Sequence, residues 1–252
     1  MIEESNYVLK MMINKGVVPD NITYNSMLDG YCLSGQMDEA SKLMNAMAGE
    51  GCKPDGVSFN NMINGFCKAR NLDLALSMYR EMSSKGWSPN GVAYNILVDG
   101  FCKNGRLKHA LGLFRQMQAQ GLCPDVFTRV TLLDGLSKSG QLNEAIAEFK
   151  QMEKRGFIPN VMVYNVLIDG MCEARHLKDA ASIFSKLLST GLRPDSRTYA
   201  IIIKGLCKKG LLRHANQLLI KMEERGCPPN GLSTILLSEG VSATMKSHKP
   251  YK

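Results

Sequence analysis

Apolar residues fall in two short helical stripes that recur along the chain. In the stretch Ile22–Gly56 the first stripe is Tyr24, Met27, Leu28 and Tyr31, the i, i+3, i+4, i+7 spacing of one helix face. Thr23 reads as the N-cap of that helix and Ser34-Gly35 as its end. The second stripe is Met37, Ala40, Leu43, Met44 and Met47. It closes at Gly51, with Pro54 three residues beyond, where a helix does not readily continue. The stretch predicts two short antiparallel helices. Neither is long enough to hold its shape alone in water, because helix nucleation is costly. Burial against a neighbouring pair has to supply the rest.

The neighbours are in the sequence, because the pattern returns every 35 residues. Pro19, Pro54, Pro89, Pro124, Pro159, Pro194 and Pro229 mark the period. Two glycine columns keep step, one from Gly16 to Gly226 and one from Gly30 to Gly240. A fixed period in this range means stacked supersecondary units. Six whole copies span residues 21–55, 56–90, 91–125, 126–160, 161–195 and 196–230. Residues 1–20 align with the second helix of a preceding copy. Residues 231–252 align with a partial first helix and a frayed tail. Repeat arrays need polar capping elements at their ends. None is visible, so the ends are expected to fray or to self-associate, and the array reads as a piece of a longer one.

Composition changes this picture little. The 252 residues carry a formal charge of +8, which mildly favours an anionic partner. No apolar run approaches the length of a membrane span. The opening MIEESNYVLK carries two glutamates and is expected to belong to a repeat helix and not to a signal or transit peptide. Of the eight cysteines, Cys32, Cys67, Cys102, Cys172 and Cys207 share one column, with Ser137 in the odd copy. Cys52, Cys123 and Cys227 lie near the ends of copies. No C-x-x-C pair occurs, and the four histidines do not gather beside the cysteines. The cysteines are expected to be small buried packing residues in a reducing compartment. His109 and His214 share a column with Glu39, Glu144 and Asp179, which suits a solvated surface. No phosphate loop or nucleophile elbow is present. The expectation is a non-enzyme with no catalytic residues, metal, cofactor, membrane or small-molecule substrate.

The runs VAYNILVDGFCKNGRLKHALGLFRQMQAQGLCPD (Val92–Asp125) and VYNVLIDGMCEARHLKDAASIFSKLLSTGLRPD (Val163–Asp195) resemble the pentatricopeptide repeat in its plain, P-type form. The resemblance covers at least residues 5–240. The related tetratricopeptide unit is about 34 residues long and would drift out of phase. The implied fold class is all-α, a right-handed α-solenoid superhelix of stacked antiparallel helix pairs. The implied partner is single-stranded RNA at roughly one base per repeat. The implied setting is a plant mitochondrion or chloroplast, with the mitochondrion favoured, and RNA processing, stability or translation as the outcome.

Spacing places Ile22, Asn25, Asp29 and Leu33 on one stripe of the first helix. The next copies offer Val57, Asn60, Asn64 and Lys68, then Val92, Asn95, Asp99 and Lys103. An amide both donates and accepts, so it can meet a base edge. Ile22, Val57, Val92, Phe127 and Met162 can pack on a base face, with Arg197 in the sixth copy. Lys68, Lys103, Lys138 and Lys208 can meet phosphates, and Glu173 breaks that column. By resemblance, the amide slot and the last residue of the copy choose the base together. Asn25 with Asp55, Asn95 with Asp125, and Asn165 with Asp195 imply U. Asn60 with Asn90 implies C, with U tolerated. Val130 with Asn160, beside Arg129, and Ala200 with Asn230 imply weak discrimination. Family binding runs parallel, which implies a site like 5′-U-Y-U-N-U-N-3′.

Each feature also has a plain structural reading. The asparagines could satisfy backbone groups at a helix start. The lysines could favour the negative end of the helix dipole or pair with Asp99 and Asp134 at i,i+4. Tyr24, Phe59, Tyr94, Tyr164 and Tyr199 read as core between helices, and Met47, Met82, Met117, Met152 and Met222 as packing on the second helix. The rival function is a protein-interaction scaffold of the tetratricopeptide kind, gripping a peptide.

Overall fold

The computed structural model describes residues 2–228, and of residues 2, 3 and 5 the backbone alone. The partial copy and tail expected over 231–252, and Asn230 of the sixth copy, lie outside the described residues. The described chain is a succession of helices with short connections. The second-type helices are α1 (Ile2–Asn14), α3 (Met37–Gly49), α5 (Leu72–Ser84), α7 (Leu107–Ala119), α9 (Leu142–Lys154), α11 (Leu177–Ser189) and α13 (Leu212–Glu224). The first-type helices are α2 (Asn21–Leu33), α4 (Gly56–Lys68), α6 (Gly91–Lys103), α8 (Val126–Lys138), α10 (Val161–Glu173) and α12 (Ser196–Lys208). No described helix is long and apolar enough to cross a membrane.

The first helices start three residues earlier than the sequence suggests. Asp20, not Thr23, caps α2: its carboxylate accepts the Thr23 N–H at 2.8 Å and the Thr23 hydroxyl at 2.8 Å. Asp55, Asn90, Asn160 and Asp195 cap α4, α6, α10 and α12 in the same way. An acidic or amide oxygen just outside the positive helix end serves the free N–H groups. A hydroxyl three residues inside serves only as the reciprocal partner of a capping box. The box is complete at Asp55–Ser58 and Asp195–Thr198. At the other end, the connection passes through one left-handed residue. Gly105 takes it at φ 72°, but Arg70 and Arg175 hold it at 61° and 64°, a strain of about 1 kcal/mol each.

The chain divides into two compact bodies between Thr131 and Leu132. In the first, α2, α4 and α6 stack in series, and α3, α5 and α7 each pair with the first helix before them. Tyr24, Phe59 and Tyr94 are buried with Leu28, Ile63 and Val98, and Met47, Met82 and Met117 are buried on the second helices. Tyr79 meets Tyr94 edge-on at 5.7 Å, and their hydroxyls bond at 2.7 Å. In the second body α12 stacks on α10, and α11 and α13 pair with them. There Phe149 and Phe184 meet Tyr164 and Tyr199 edge-on at 5.8 and 6.0 Å.

The cysteine column sets how closely first helices approach. A Cβ added at Gly65 would lie 2.6 Å from the Cys32 sulfur, and one at Gly205 would lie 2.7 Å from that of Cys172. Gly100 meets Cys67 in the same manner, and Gly170 meets Ser137. Burial pushes the Cys67 and Cys172 thiols up to about 12, so they stay protonated and unreactive. The expectation that all eight cysteines are buried is corrected at Cys123, which is exposed, and Cys52, Cys102, Cys207 and Cys227 are only partly covered.

Candidate nucleic-acid interface

In the first, third and fifth copies the residue that ends the copy caps the first helix of the next copy, and this places it against the amide of its own copy. Asp55 accepts the Val57 and Ser58 N–H groups at the start of α4. It also accepts the Asn25 Nδ2 from α2 at 3.1 Å. Asn95 donates to Asp125 at 3.1 Å, and Asn165 to Asp195 at 3.2 Å. A carboxylate only accepts, so the NH₂ end of each amide must face it. The amide oxygen then points elsewhere. In two copies it takes a hydroxyl from the next first helix: Ser58 donates to Asn25 Oδ1 at 2.6 Å, and Thr128 to Asn95 Oδ1 at 2.5 Å.

The other copies differ. Asn90 spends its side-chain oxygen on the Val92 and Ala93 N–H groups, and the buried Oδ1 of Asn60 has no hydrogen-bond partner. Asn165 is 3% exposed, deeper than an open row of readers implies, and its Oδ1 also has none. Val130 is half-buried and Ala200 buried, as apolar side chains in the amide slot. Asn160 caps α10 through the Val163 N–H at 3.2 Å.

The expected platforms are on the surface. Ile22 is 75% exposed, and Val57, Val92, Phe127 and Met162 are about half exposed. Around Asn25 and Asp55 the surface forms an open depression of about 470 Å³, walled by Ile22, Asp29 and Val57. The lysine column stands at the far end of the first helices. Lys103 and Lys138 make i,i+4 pairs with Asp99 and Asp134 at 2.7 and 2.6 Å, and Lys68 is exposed. Lys208 reaches back to Glu173 at 2.5 Å, where Lys204 also binds at 2.7 Å. Those two hydrogen bonds, Lys204 first, bring the Glu173 carboxyl down to about 2.

Burial alone would raise the Asp55, Asp125 and Asp195 pKa values. Hydrogen bonds from Ser58 or Thr128 or Thr198, and from the facing asparagine, together outweigh it and lower all three. Their contribution to stability is complete above the ordinary carboxylate range and is lost as pH falls through the lowered folded values. Urea midpoints are expected to be flat from about pH 7 to pH 5 and to fall below about pH 4. The combined Asp55→Asn, Asp125→Asn and Asp195→Asn variant should show a shallower acid limb. An unchanged limb would assign the acid sensitivity to other groups.

Sequence reasoning missed the hydroxyls. Ser58, Thr128 and Thr198 are fully buried, and with Asn165 they are the buried polar residues of the described chain. Their signal was the spacing Asp-x-x-Ser/Thr at the start of α4, α8 and α12.

Tandem antiparallel helix pairs at a constant period define a helical-repeat protein of the α-solenoid class. The PPR repeat family profile matches residues 19–68, 55–103, 89–138, 130–173 and 159–208, a single PPR repeat matches 197–227, and the chain belongs to this family. It is similar to the crystal structure of the pentatricopeptide repeat protein PPR10 from maize, with 24% identity and a TM-score of 0.75 over 100% of this chain and 37% of that one. PPR10 in complex with an 18-nt psaJ RNA element gives 23% identity and a TM-score of 0.58, over 100% of this chain and 44% of that one. The PPR domain of Arabidopsis thaliana protein-only RNase P 1, in complex with tRNA, gives 17% and 0.55, over 71% of this chain and 95% of that one. The chain thus spans less than half of the PPR10 chains it matches. No curated protein matches it.

Proposed function

We propose that this chain is a sequence-selective, single-stranded RNA-binding module reading about one base per repeat with a pyrimidine bias. The supporting observation is the Asn–Asp pair, repeated at Asn25–Asp55, Asn95–Asp125 and Asn165–Asp195 with near-equal geometry. At the first of these the pair lies in a depression walled by exposed Ile22 and Val57. A base seated there would have aliphatic contact on its faces and the amide at its edge. Two solved relatives carry RNA in their structures, one an 18-nt psaJ element and one a tRNA. Exposed ion pairs such as Lys103–Asp99 contribute only about 0–1 kcal/mol, so a phosphate can take over the lysine. The Asn165 repeat reads chiefly through its exposed Asp195, because the amide itself is covered. The module acts by occupancy, holding RNA unfolded or shielding it from nucleases. The setting is an organelle, as resemblance implies.

Filter binding at several salt concentrations tests this reading. Binding is expected to favour U-rich single strands over matched duplexes and DNA, with a salt slope of about −0.7 per neutralised phosphate. Equal affinity for duplex and single strand would overturn it. At the level of one repeat, Asn95→Thr is expected to shift the third base from U toward G. An unchanged third-base preference would reject the base-reading assignment while leaving RNA binding in place.

A further inference from the structure

The reading amides are not equivalent, and the difference lies in the following repeat. At Asn25 both ends of the amide are held: Nδ2 by Asp55 and Oδ1 by the Ser58 hydroxyl. Asn95 is held in the same way by Asp125 and Thr128. The hydroxyl has one proton, and in both copies the amide oxygen is its nearer acceptor, at 2.6 against 3.1 Å for Ser58 and 2.5 against 2.8 Å for Thr128. At Asn60 both holds are missing. Asn90 replaces the carboxylate and Ala93 replaces the hydroxyl, and Asn60 Oδ1 is buried with no partner. At Asn165 the carboxylate is present, but Thr198 gives its proton to Asp195 at 2.8 Å, and Asn165 Oδ1 is left without a partner.

An amide turned over by 180° exchanges a donor for an acceptor. Uracil and cytosine differ in just this respect along their pairing edge: uracil has N3–H where cytosine has a bare N3, and O4 where cytosine has N4–H₂. An amide held at both ends offers one pattern and can favour one pyrimidine. An amide that turns freely serves both.

We infer that Ser58 and Thr128 are positioning residues for base selection: each adds a second hold to the carboxylate's on the amide of the preceding repeat and so narrows its orientation, and a repeat's selectivity is completed by its successor. This inference rests on the proposed base-reading function. Ser58 and Thr128 do not touch the base; they act through Asn25 and Asn95. The buried state of both hydroxyls keeps water from competing for their protons. The second repeat, with neither the carboxylate nor the hydroxyl, is the one for which the resemblance implies C with U tolerated.

The test compares hexauridylate with hexamers carrying C at one position, in competition binding to the full chain. In Ser58→Ala the preference for U over C at the first base should fall about three- to tenfold, the size of one hydrogen bond. Ser58→Thr should restore it. A ratio between two RNAs cancels any general loss of folded protein, so a merely structural role for Ser58 would leave it unmoved. In the second repeat, Asn90→Asp with Ala93→Ser should sharpen U over C beyond Asn90→Asp alone. If the parent chain binds hexauridylate and the Ser58→Ala ratio is unchanged, the positioning role is overturned and the RNA-binding reading stands. If the parent binds no single-stranded RNA, that reading falls and the positioning role falls with it.

Discussion

Replacing Gly100 with alanine is expected to cost about 2 kcal/mol of folding stability, read as a lower urea midpoint. In an open helix the same change would help, by about 0.5–1 kcal/mol, because glycine gives up more backbone freedom on folding. Gly112 offers that control: it lies inside α7, and a Cβ built there meets nothing within 4 Å. Gly100 lies where α6 crosses α4, and its new methyl would overlap both the sulfur and the Cβ of Cys67, the latter at 2.7 Å. Overpacking of this kind costs about 1–3 kcal/mol. Because the Cys67 Cβ is part of the obstacle, Cys67→Ala should rescue little and Cys67→Gly more. Should Gly100→Ala and Gly112→Ala stabilise equally, the cysteine–glycine crossings do not set the helix spacing.

Asp195→Ala is expected to cost about 2–4 kcal/mol, more than an ordinary cap. One part is the cap on α12, worth about 0.5–2 kcal/mol. The other is the Asn165 amide, already 3% exposed and with an unpartnered oxygen, which would lose the partner of its nitrogen as well. A buried polar group left unpaired costs about 1–3 kcal/mol. Asp20→Ala is the comparison, since Asp20 caps α2 through Thr23 and holds no reading amide among the described residues. Conversely, Asn165→Leu removes the buried amide altogether and should change stability by less than about 1 kcal/mol. Equal losses for Asp195→Ala and Asp20→Ala in urea melts would show that the amide bond adds nothing.

The helix pairs were legible because a strict period multiplies a weak signal. One copy of Tyr24, Met27, Leu28 and Tyr31 is an ambiguous stripe; six copies in phase are not. The helix starts were misplaced because Asp20 and Thr23 are both good capping residues, and composition does not say which one stands outside the first turn. The pairing of Asn25 with Asp55 was invisible to helical spacing. These residues are 30 positions apart, on different helices, and only the family resemblance joined them. The lysine pairs at Asp99 and Asp134 were readable from i,i+4 spacing alone. The orphaned oxygens of Asn60 and Asn165 were not readable, since they depend on where a neighbouring hydroxyl sends its single proton.

Side-chain hydrogen bonds that bridge repeats, such as Asn104 to Cys67, Asn61 to Asn25 and Ser58 to Asn25, join residues close to one period apart. A gene for such a chain can gain or lose copies by unequal exchange without stranding any helix. Removing residues 56–90 would set Gly91 after Asp55, still a cap followed by a helix start, but with Ala93 where Ser58 had stood. The splice would keep the scaffold and silently change the grip on Asn25. Duplication is therefore cheap for this architecture, while each new junction rewrites the chemistry of the copy before it.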